Sequence, residues 1–182
     1  MTHLAGKRVA IIATDWFEEP ELVTPRDQLR AGGAEVKVYA PEGKPIQGAH
    51  GDVNPASKVD VDGTLDDVDV DAIDALVVPG GTVNADHLRT NEKAQAIVRA
   101  VAAAGKPLAA ICHGPWLLVS AGLVADRRLT SWASLADDIR NAGGEWLDEQ
   151  VVIDDWLITS RKPDDIPAFV DAIEQALAGA RV

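Results

Sequence analysis

Short apolar runs alternate with amphipathic segments along this chain. Runs of strand length or strand-like alternation lie at residues 8–13, 35–40, 75–79 and 107–111. Apolar positions recur with helical spacing in the segments between and after them, most clearly at 91–104 and 166–177. Strands that alternate with helices favour right-handed crossovers and a mostly parallel sheet with helices on both faces. The pattern therefore predicts an α/β fold.

The remaining segments are less regular. Residues 46–61 are broken by Gly, Asn and Pro, and we interpret them as a hairpin or an irregular excursion. A β pair is predicted at 151–153 and 156–160, and Pro163 then suits the first position of the last helix. The pattern also predicts a helix that ends at Gly32-Gly33, helices at 116–121 and 135–141, and a short strand at 129–130.

Length and composition are those of an ordinary globular protein. The 182 residues predict one domain, residues 1–182, that is long enough to bury a proper core. No apolar run approaches the roughly 18 residues that span a bilayer, so no membrane partner is expected. The first residues lead into a strand-like run without the layout of a signal peptide, and the default expectation is a cytoplasmic location.

Charge and cysteine content exclude several classes of function. The chain carries 17 basic and 29 acidic residues, a net charge of −12, and it has no Lys/Arg cluster. Such a chain repels a phosphate backbone, so we expect no nucleic-acid partner. The single cysteine, Cys112, excludes an intrachain disulfide and a multi-cysteine metal centre. The histidines lack ligand spacing and no phosphate-binding loop is visible, so neither a metal nor a cofactor is expected.

The segment around Cys112 carries most of the functional information. An apolar strand ends at Ile111, Cys112 follows at once, and Gly114 comes two residues later at the start of a helix. This is the layout of a nucleophile elbow, in which a tight turn exposes the central side chain and a Cβ on the glycine would collide with a neighbouring strand. N–H groups at the helix start would favour the thiolate. The alternative is a buried core cysteine, which is common for isolated cysteines.

Few residues could serve as the base or acid beside Cys112. No histidine follows His113, so the far-downstream histidine and glutamate of class I glutamine amidotransferases are missing. His113 adjoins Cys112, but neighbouring side chains often diverge, and it could simply cap the turn. Acidic residues follow the first strand, where Glu18, Glu19 and Glu21 lie, and the third strand, where Asp86 lies. Those positions share one edge of a parallel sheet with Cys112.

A carboxyl group beside the thiolate would have a raised pKa, stay protonated and donate a hydrogen bond to sulfur. The alternative for Glu18, Glu19 and Glu21 is the ordinary preference of acids for the first turn of a helix. Gly80-Gly81 allows close approach of the backbone, so its N–H groups could form an oxyanion hole, although it could also be a plain turn. Trp16, Trp116 and Trp132 are candidates for the walls of the pocket, although they could equally be core residues.

At this point the chain resembles the ThiJ/PfpI superfamily, most closely the PfpI-type intracellular cysteine peptidases. The resemblance runs in order over nearly the whole chain. Its residues are DWFEEPELVTP at 15–25, QGAHG at 47–51, DALVVPGG at 74–81, NEKA at 91–94, GKPLAAICHGP at 105–115, LTSW at 129–132, NAGGEW at 141–146 and ITSR at 158–161.

The resemblance implies a flavodoxin-like α/β sandwich that forms a homodimer, or a hexamer built from dimers. It implies that Cys112 is the nucleophile with His113 beside it, and that Glu21 hydrogen-bonds the cysteine. Glu18 matches a second acidic position of PfpI-type members. In the peptidase mechanism, an acid from a neighbouring subunit orients the histidine, and Asp86 is the residue this chain offers. The loop before Asp86 differs from the family pattern by one residue.

The resemblance does not imply a single reaction. Members are described as peptidases, as glyoxalases that turn methylglyoxal into lactate without glutathione, as deglycases, as chaperones and as redox sensors. We expect a stress-response cysteine enzyme that acts on a small carbonyl compound, a glycated protein or a peptide. In this hypothesis the Cys112 thiolate adds to a carbonyl, Gly81 and His113 N–H groups stabilise the oxyanion, and Glu21 or His113 moves the proton. The alternative is a non-catalytic redox sensor or chaperone in which Cys112 is oxidised.

Overall fold

The computed structural model describes residues 3–179, which form twelve strands and six α-helices. The strands are β1 (Arg8–Ile12), β2 (Phe17–Glu18), β3 (Glu35–Ala40), β4 (Ile46–His50), β5 (Asn54–Val59), β6 (Gly63–Thr64), β7 (Ala75–Val78), β8 (Leu108–Ile111), β9 (Arg128–Leu129), β10 (Glu145–Trp146), β11 (Val151–Asp154) and β12 (Leu157–Ser160). The helices are α1 (Glu19–Ala31), α2 (Thr82–Arg89), α3 (Glu92–Ala103), α4 (Pro115–Ser120), α5 (Ala136–Asn141) and α6 (Ile166–Leu177).

The main sheet contains seven strands in the order β6-β3-β1-β7-β8-β12-β11. Every neighbouring pair is parallel except β11 and β12, which form an antiparallel pair at the edge. The predicted mostly parallel sheet is therefore confirmed. Because β1, β7 and β8 are adjacent and parallel, the residues that follow these strands meet at one edge of the sheet.

The sheet separates two apolar cores. Val9 and Ile11 of β1 point to the face covered by α1 and α6, whereas Ala10 and Ile12 point to the face covered by α2 to α5. This alternation follows from the two-residue period of side chains along a strand. Burial on both faces also explains why β1, β7 and β8 are apolar runs rather than alternating segments.

A smaller sheet of β2, β4 and β5 stands beside the main one. β4 and β5 form an antiparallel hairpin, and β2 pairs with β4 in parallel. The hairpin interpretation of residues 46–61 is thus correct. The turn between β4 and β5, at residues 51–53, lies against the start of α2 because the Thr82 N–H donates to Asp52 Oδ1 at 2.8 Å.

Several elements differ from the sequence prediction, among them the two-residue strands β2, β6 and β10, which lie where no strand is predicted. Residues 82–89, to which the sequence analysis assigns no element, form α2. Their pattern is masked because one buried position is polar: Asn84 donates to the carbonyls of Pro79 and Gly80 and accepts from Thr14 N–H. The short strand expected at 129–130 is β9, which pairs with β10 rather than with the main sheet. Within residues 3–179, no helix is both long and apolar enough to cross a membrane.

Candidate active site

A cavity of about 370 Å³ opens at the carboxyl edge of β1, β7 and β8. Acidic, thiol, imidazole and indole groups from separate segments converge there. We name this cavity the Cys112 pocket, and its lining residues are Glu18, Glu21, Gly51, Asp52, Gly81, Thr82, Cys112, His113, Trp132 and Pro163.

Cys112 occupies the predicted nucleophile elbow. Its φ angle is 61°, in the left-handed region that a non-glycine residue rarely adopts, and β8 ends one residue earlier. A Cβ on Gly114 would stand 2.7 Å from the carbonyl oxygen of Val78 on the neighbouring strand β7. The strand-to-helix turn can therefore pass β7 only because residue 114 is glycine.

Gly114→Ala is expected to lower the free energy of unfolding by about 2 kcal/mol, because the elbow must move away from β7 to make room for the methyl group. Turnover should fall with it, since the moved turn carries Cys112. Chemical denaturation measures the change in the free energy of unfolding, and an activity assay measures the change in turnover. Gly105→Ala is the control for turnover: its φ of 63° strains an alanine and should lower stability as well, but its Cβ position is open, so turnover should be kept. Unchanged stability and activity in Gly114→Ala would contradict the steric argument.

Glu21 is the buried acid of the pocket. It is fully buried, its Oε2 accepts the Gly80 N–H at 2.9 Å, and Oε1 has no nitrogen or oxygen partner. Burial, and then the charge of Glu18, raise the pKa of Glu21 to about 8, although hydrogen bonds with Cys112 and Gly80 oppose the shift. Near neutral pH the carboxyl group is therefore mostly protonated and can donate to the Cys112 sulfur, as the sequence predicts.

Opposing effects act on the pKa of the Cys112 thiol. The side chain is only 7% exposed, and burial together with the Glu21 carboxylate raises the pKa of the thiol. The N–H groups of Gly81 and His113 donate to the sulfur and lower this pKa. His113, in the turn before α4, supplies one N–H group of the kind expected, whereas the other comes from Gly81 at the start of α2. Burial works against both. A proton on Glu21 removes the carboxylate charge, so the thiolate forms most readily beside a protonated Glu21.

His113 contacts the nucleophile directly. Its Nδ1 lies 3.3 Å from Cys112 Sγ, and its Nε2 lies 3.3 Å from Thr82 Oγ1. The ring is stacked on Trp132 with centroids 6.0 Å apart and meets the edge of Trp116 at 5.4 Å. Burial lowers the pKa of His113, although the charge of Asp52 opposes this. The ring is therefore neutral near pH 7 and is held in place to accept a proton from sulfur.

The model of the DJ-1/PfpI family matches residues 7–176, nearly the whole chain. The chain belongs to the DJ-1/PfpI family.

Similar proteins support this assignment. A deglycase from Thermococcus kodakarensis is 42% identical over 163 residues, which cover 90% of this chain and 95% of that protein. The protein/nucleic acid deglycase 2 of Escherichia coli is 41% identical over 166 residues, with 90% and 94% covered. A candidate cysteine protease of Bacillus subtilis is 36% identical over 165 residues, with 90% and 94% covered.

Among solved structures, DJ-1beta from Drosophila melanogaster resembles the chain with a TM-score of 0.86 at 30% identity. The match covers 95% of this chain and 91% of that one. The flavodoxin-like α/β sandwich implied by the sequence resemblance is thereby confirmed, and so is the resemblance itself.

The sequence-predicted residues of this DJ-1/PfpI chain fall into two groups. Cys112, His113, Glu21, Glu18 and Gly81 meet in the Cys112 pocket. Gly81 has a φ angle of 89°, and a Cβ there would stand 2.5 Å from the Trp16 carbonyl oxygen, so glycine is required. Glu18 accepts the Gly51 N–H through Oε2 at 2.9 Å, which ties the pocket wall to the β4–β5 turn.

Other predicted residues have different contacts. The N–H of Gly80 is taken up by Glu21, which leaves the N–H groups of Gly81 and His113 as the oxyanion candidates. Trp116 contacts the outer side of the His113 ring and donates to Asp138, and Trp16 meets the site through its backbone, so neither lines the Cys112 pocket. Asp86 is exposed on α2, outside the pocket of its own chain. Its role at a subunit contact stays a prediction.

The sequence analysis missed two residues of the site in this DJ-1/PfpI protein. Asp52 Oδ2 accepts the Thr82 hydroxyl at 2.8 Å, and Thr82 in turn meets His113. The φ angle of Asp52 is 67°, in a turn of the β4–β5 hairpin. The QGAHG match ends one residue before Asp52, so the turn itself was the available signal. Among the described residues, no group of three or more His, Cys, Asp or Glu side chains could hold a metal ion.

Proposed function

We propose that this PfpI-type enzyme is a deglycase that uses Cys112 to release early adducts of 2-oxoaldehydes from amines and thiols. The observation that carries the proposal is the environment of the sulfur. A mostly protonated carboxyl group, a neutral imidazole 3.3 Å away and two backbone N–H donors surround one buried thiol. These groups can move protons to and from a carbonyl adduct and stabilise an oxyanion next to sulfur. The deglycases among the relatives agree with this chemistry.

The reaction can be written with atoms and electrons in balance. For an adduct of methylglyoxal with an amine, the Cys112 thiolate forms a C–S bond to the carbinol carbon while the C–N bond breaks. The amine leaves with a proton from Glu21 or His113. The proton on the carbinol carbon then moves to the keto carbon, and the hydroxyl proton moves from the carbinol oxygen to the keto oxygen. The carbinol carbon is thereby oxidised, the keto carbon is reduced, and a lactoyl thioester remains. Water hydrolyses it to lactate and regenerates the thiol.

The proposed roles follow the geometry around Cys112. His113 Nδ1 accepts the thiol proton, since it is the ring nitrogen nearest Sγ. Glu21 donates to the sulfur and supplies a proton to the leaving group, because its carboxyl group keeps a proton near pH 7. Gly81 and His113 N–H groups stabilise the oxygen that becomes negative next to the C–S bond. Trp132, which is 41% exposed, covers one side of the bound adduct.

Substrate and assembly remain part of the proposal. With a net charge of −12, the protein should favour small adducts and glycated protein over nucleic acids. We propose the homodimer, or a hexamer of dimers, that the family resemblance implies, and a cytoplasmic location. In the peptidase alternative, Asp86 of a neighbouring copy would orient His113.

A kinetic assay separates deglycation from its alternatives. Methylglyoxal adducts of N-acetyl-lysine and N-acetyl-cysteine are prepared at several concentrations, with the free methylglyoxal held constant. We expect lactate release to rise with the adduct concentration and to match the release of the free amine or thiol. A rate that follows only the free aldehyde would favour a glyoxalase. Cleavage of fluorogenic peptides without turnover of adducts would favour the peptidase and overturn the proposal.

A further inference from the structure

A continuous chain of polar contacts leads from Asp52 to the sulfur. Thr82 Oγ1 lies 2.8 Å from Asp52 Oδ2 and 3.3 Å from His113 Nε2, and His113 Nδ1 lies 3.3 Å from Cys112 Sγ. All four residues line the Cys112 pocket of one chain. The Thr82 N–H donates to the other carboxylate oxygen, Oδ1, at 2.8 Å, so Asp52 holds Thr82 at two points.

Counting hydrogens along this chain sets the state of His113. An ionised carboxylate can only accept, so the single hydroxyl hydrogen of Thr82 goes to Asp52. Thr82 Oγ1 must then accept from His113, which places the ring proton on Nε2. A neutral imidazole has one N–H, so Nδ1 carries the lone pair that faces Cys112 Sγ.

We propose that Asp52 and Thr82 are positioning residues that fix His113 as its Nε2–H tautomer and so make Nδ1 the base for the Cys112 thiol. This proposal rests on the proposed function, because it assigns the proton acceptor of the same site. The proton moves from Sγ to Nδ1, and the resulting imidazolium faces the Asp52 carboxylate through Thr82. His113 is thereby oriented from within its own chain, whereas the peptidase alternative uses Asp86 of a neighbour.

A purely structural role for Asp52 is the competing explanation. The carboxylate accepts the Thr82 N–H at the start of α2, where backbone donors lack helical partners. Thr82→Val separates the two roles. It keeps the backbone N–H, and therefore the contact with Asp52 Oδ1, but removes the hydroxyl that connects Asp52 to His113. Thr82→Ser keeps the hydroxyl and loses only the methyl group. Thr90→Val makes the same change at the other end of α2, where Thr90 Oγ1 bonds only backbone carbonyls of its own helix.

The experiment reads the tautomer directly. Long-range ¹H–¹⁵N correlation spectra of ¹⁵N-histidine-labelled protein distinguish a ring N–H from a nitrogen with a lone pair, and His113→Gln assigns the signal. We expect the Nε2–H form to dominate in the wild-type protein and in Thr82→Ser and Thr90→Val. In Thr82→Val the ratio of the Nε2–H tautomer to the Nδ1–H tautomer should fall about tenfold. In the same variant, the rate at which iodoacetamide alkylates Cys112 and the kcat should each fall about tenfold, while KM stays within about twofold of the wild-type value.

The outcomes discriminate between the proposals. A wild-type His113 with its proton on Nδ1, or a tautomer ratio unchanged in Thr82→Val, would overturn the positioning role. An altered tautomer in Asp86→Asn but not in Thr82→Val would overturn it in favour of the neighbouring subunit. Because the spectra and the alkylation rate need no substrate, the proposal can be upheld even if the protein turns over no glycation adduct. In that case only the proposed function fails.

Discussion

Serine in place of Cys112 is expected to lower turnover of methylglyoxal adducts by about 10³-fold or more. A hydroxyl is far less acidic than a thiol, and neither Glu21 nor the neutral His113 is a strong enough base to ionise it. The fold should be kept, because serine is slightly smaller than cysteine and the elbow conformation depends on the backbone and on Gly114. Lactate release and the thermal midpoint of unfolding check both expectations.

Alkylation provides an independent route to the same test. Cys112 is the only cysteine of the chain, so iodoacetamide modifies one thiol without any mutation. Loss of turnover should follow the extent of modification, measured by mass spectrometry of the intact protein. Cys112→Ala should match Cys112→Ser, which separates loss of the nucleophile from an effect of the serine hydroxyl. Full turnover of adducts and of peptide reporters by Cys112→Ser would show that Cys112 is not the nucleophile and would overturn the proposed mechanism.

Local sequence was sufficient for the elbow, whereas its acid also required the sheet topology and the family resemblance. The turn at Cys112 depends on contiguous residues, since an apolar strand, a thiol and a glycine required by steric contact with β7 follow one another directly. Glu21 could be identified because the end of β1 and the end of β8 meet at one edge of any parallel sheet that contains them. The family resemblance then distinguished Glu21 from its acidic neighbours, which periodicity alone could not do.

Asp52 and Thr82 could not be predicted because their roles depend on distant packing. Asp52 is 30 residues before Thr82 in the chain, and the two meet only because the small sheet holds the β4–β5 turn against α2. The interruption of residues 46–61 by turn-forming residues indicated a hairpin but not the direction in which its turn points. The helix α2 was missed for a related reason, since buried Asn84 interrupts its apolar pattern and is explained only by its contacts with Thr14 and Pro79.

The acid beside the sulfur should also make stability depend on pH. In the folded protein, the pKa of Glu21 is raised from 4.5 to about 8, with burial as the largest cause. Between these two values the folded state keeps a proton that the unfolded state releases, so the free energy of unfolding falls as pH rises. The accumulated loss above about pH 8 is of order 5 kcal/mol, at about 1.4 kcal/mol for each pKa unit.

Glu21→Gln should remove most of the fall in stability with rising pH. Glutamine is neutral at every pH, and its amide can still accept the Gly80 N–H and donate to the Cys112 sulfur, as the protonated carboxyl group does. The variant should therefore resemble the wild type near pH 5 and exceed it by several kcal/mol near pH 9, measured by urea denaturation. Turnover should still fall, because an amide that donates a hydrogen bond cannot transfer the proton to the leaving amine.

Glu19→Gln is the matched control in the same helix. Hydrogen bonds from Ser57 lower the pKa of Glu19, so that carboxylate stabilises the fold above its unfolded pKa and loses this effect as pH falls. Glu19→Gln should lower the free energy of unfolding by the same amount at every pH from 6 to 9. The slope of this free energy against pH should therefore equal that of the wild type. If Glu21→Gln likewise gave a curve parallel to that of the wild type, Glu21 would be ionised in the folded protein. The site would then lack the proton that our mechanism places on its acid.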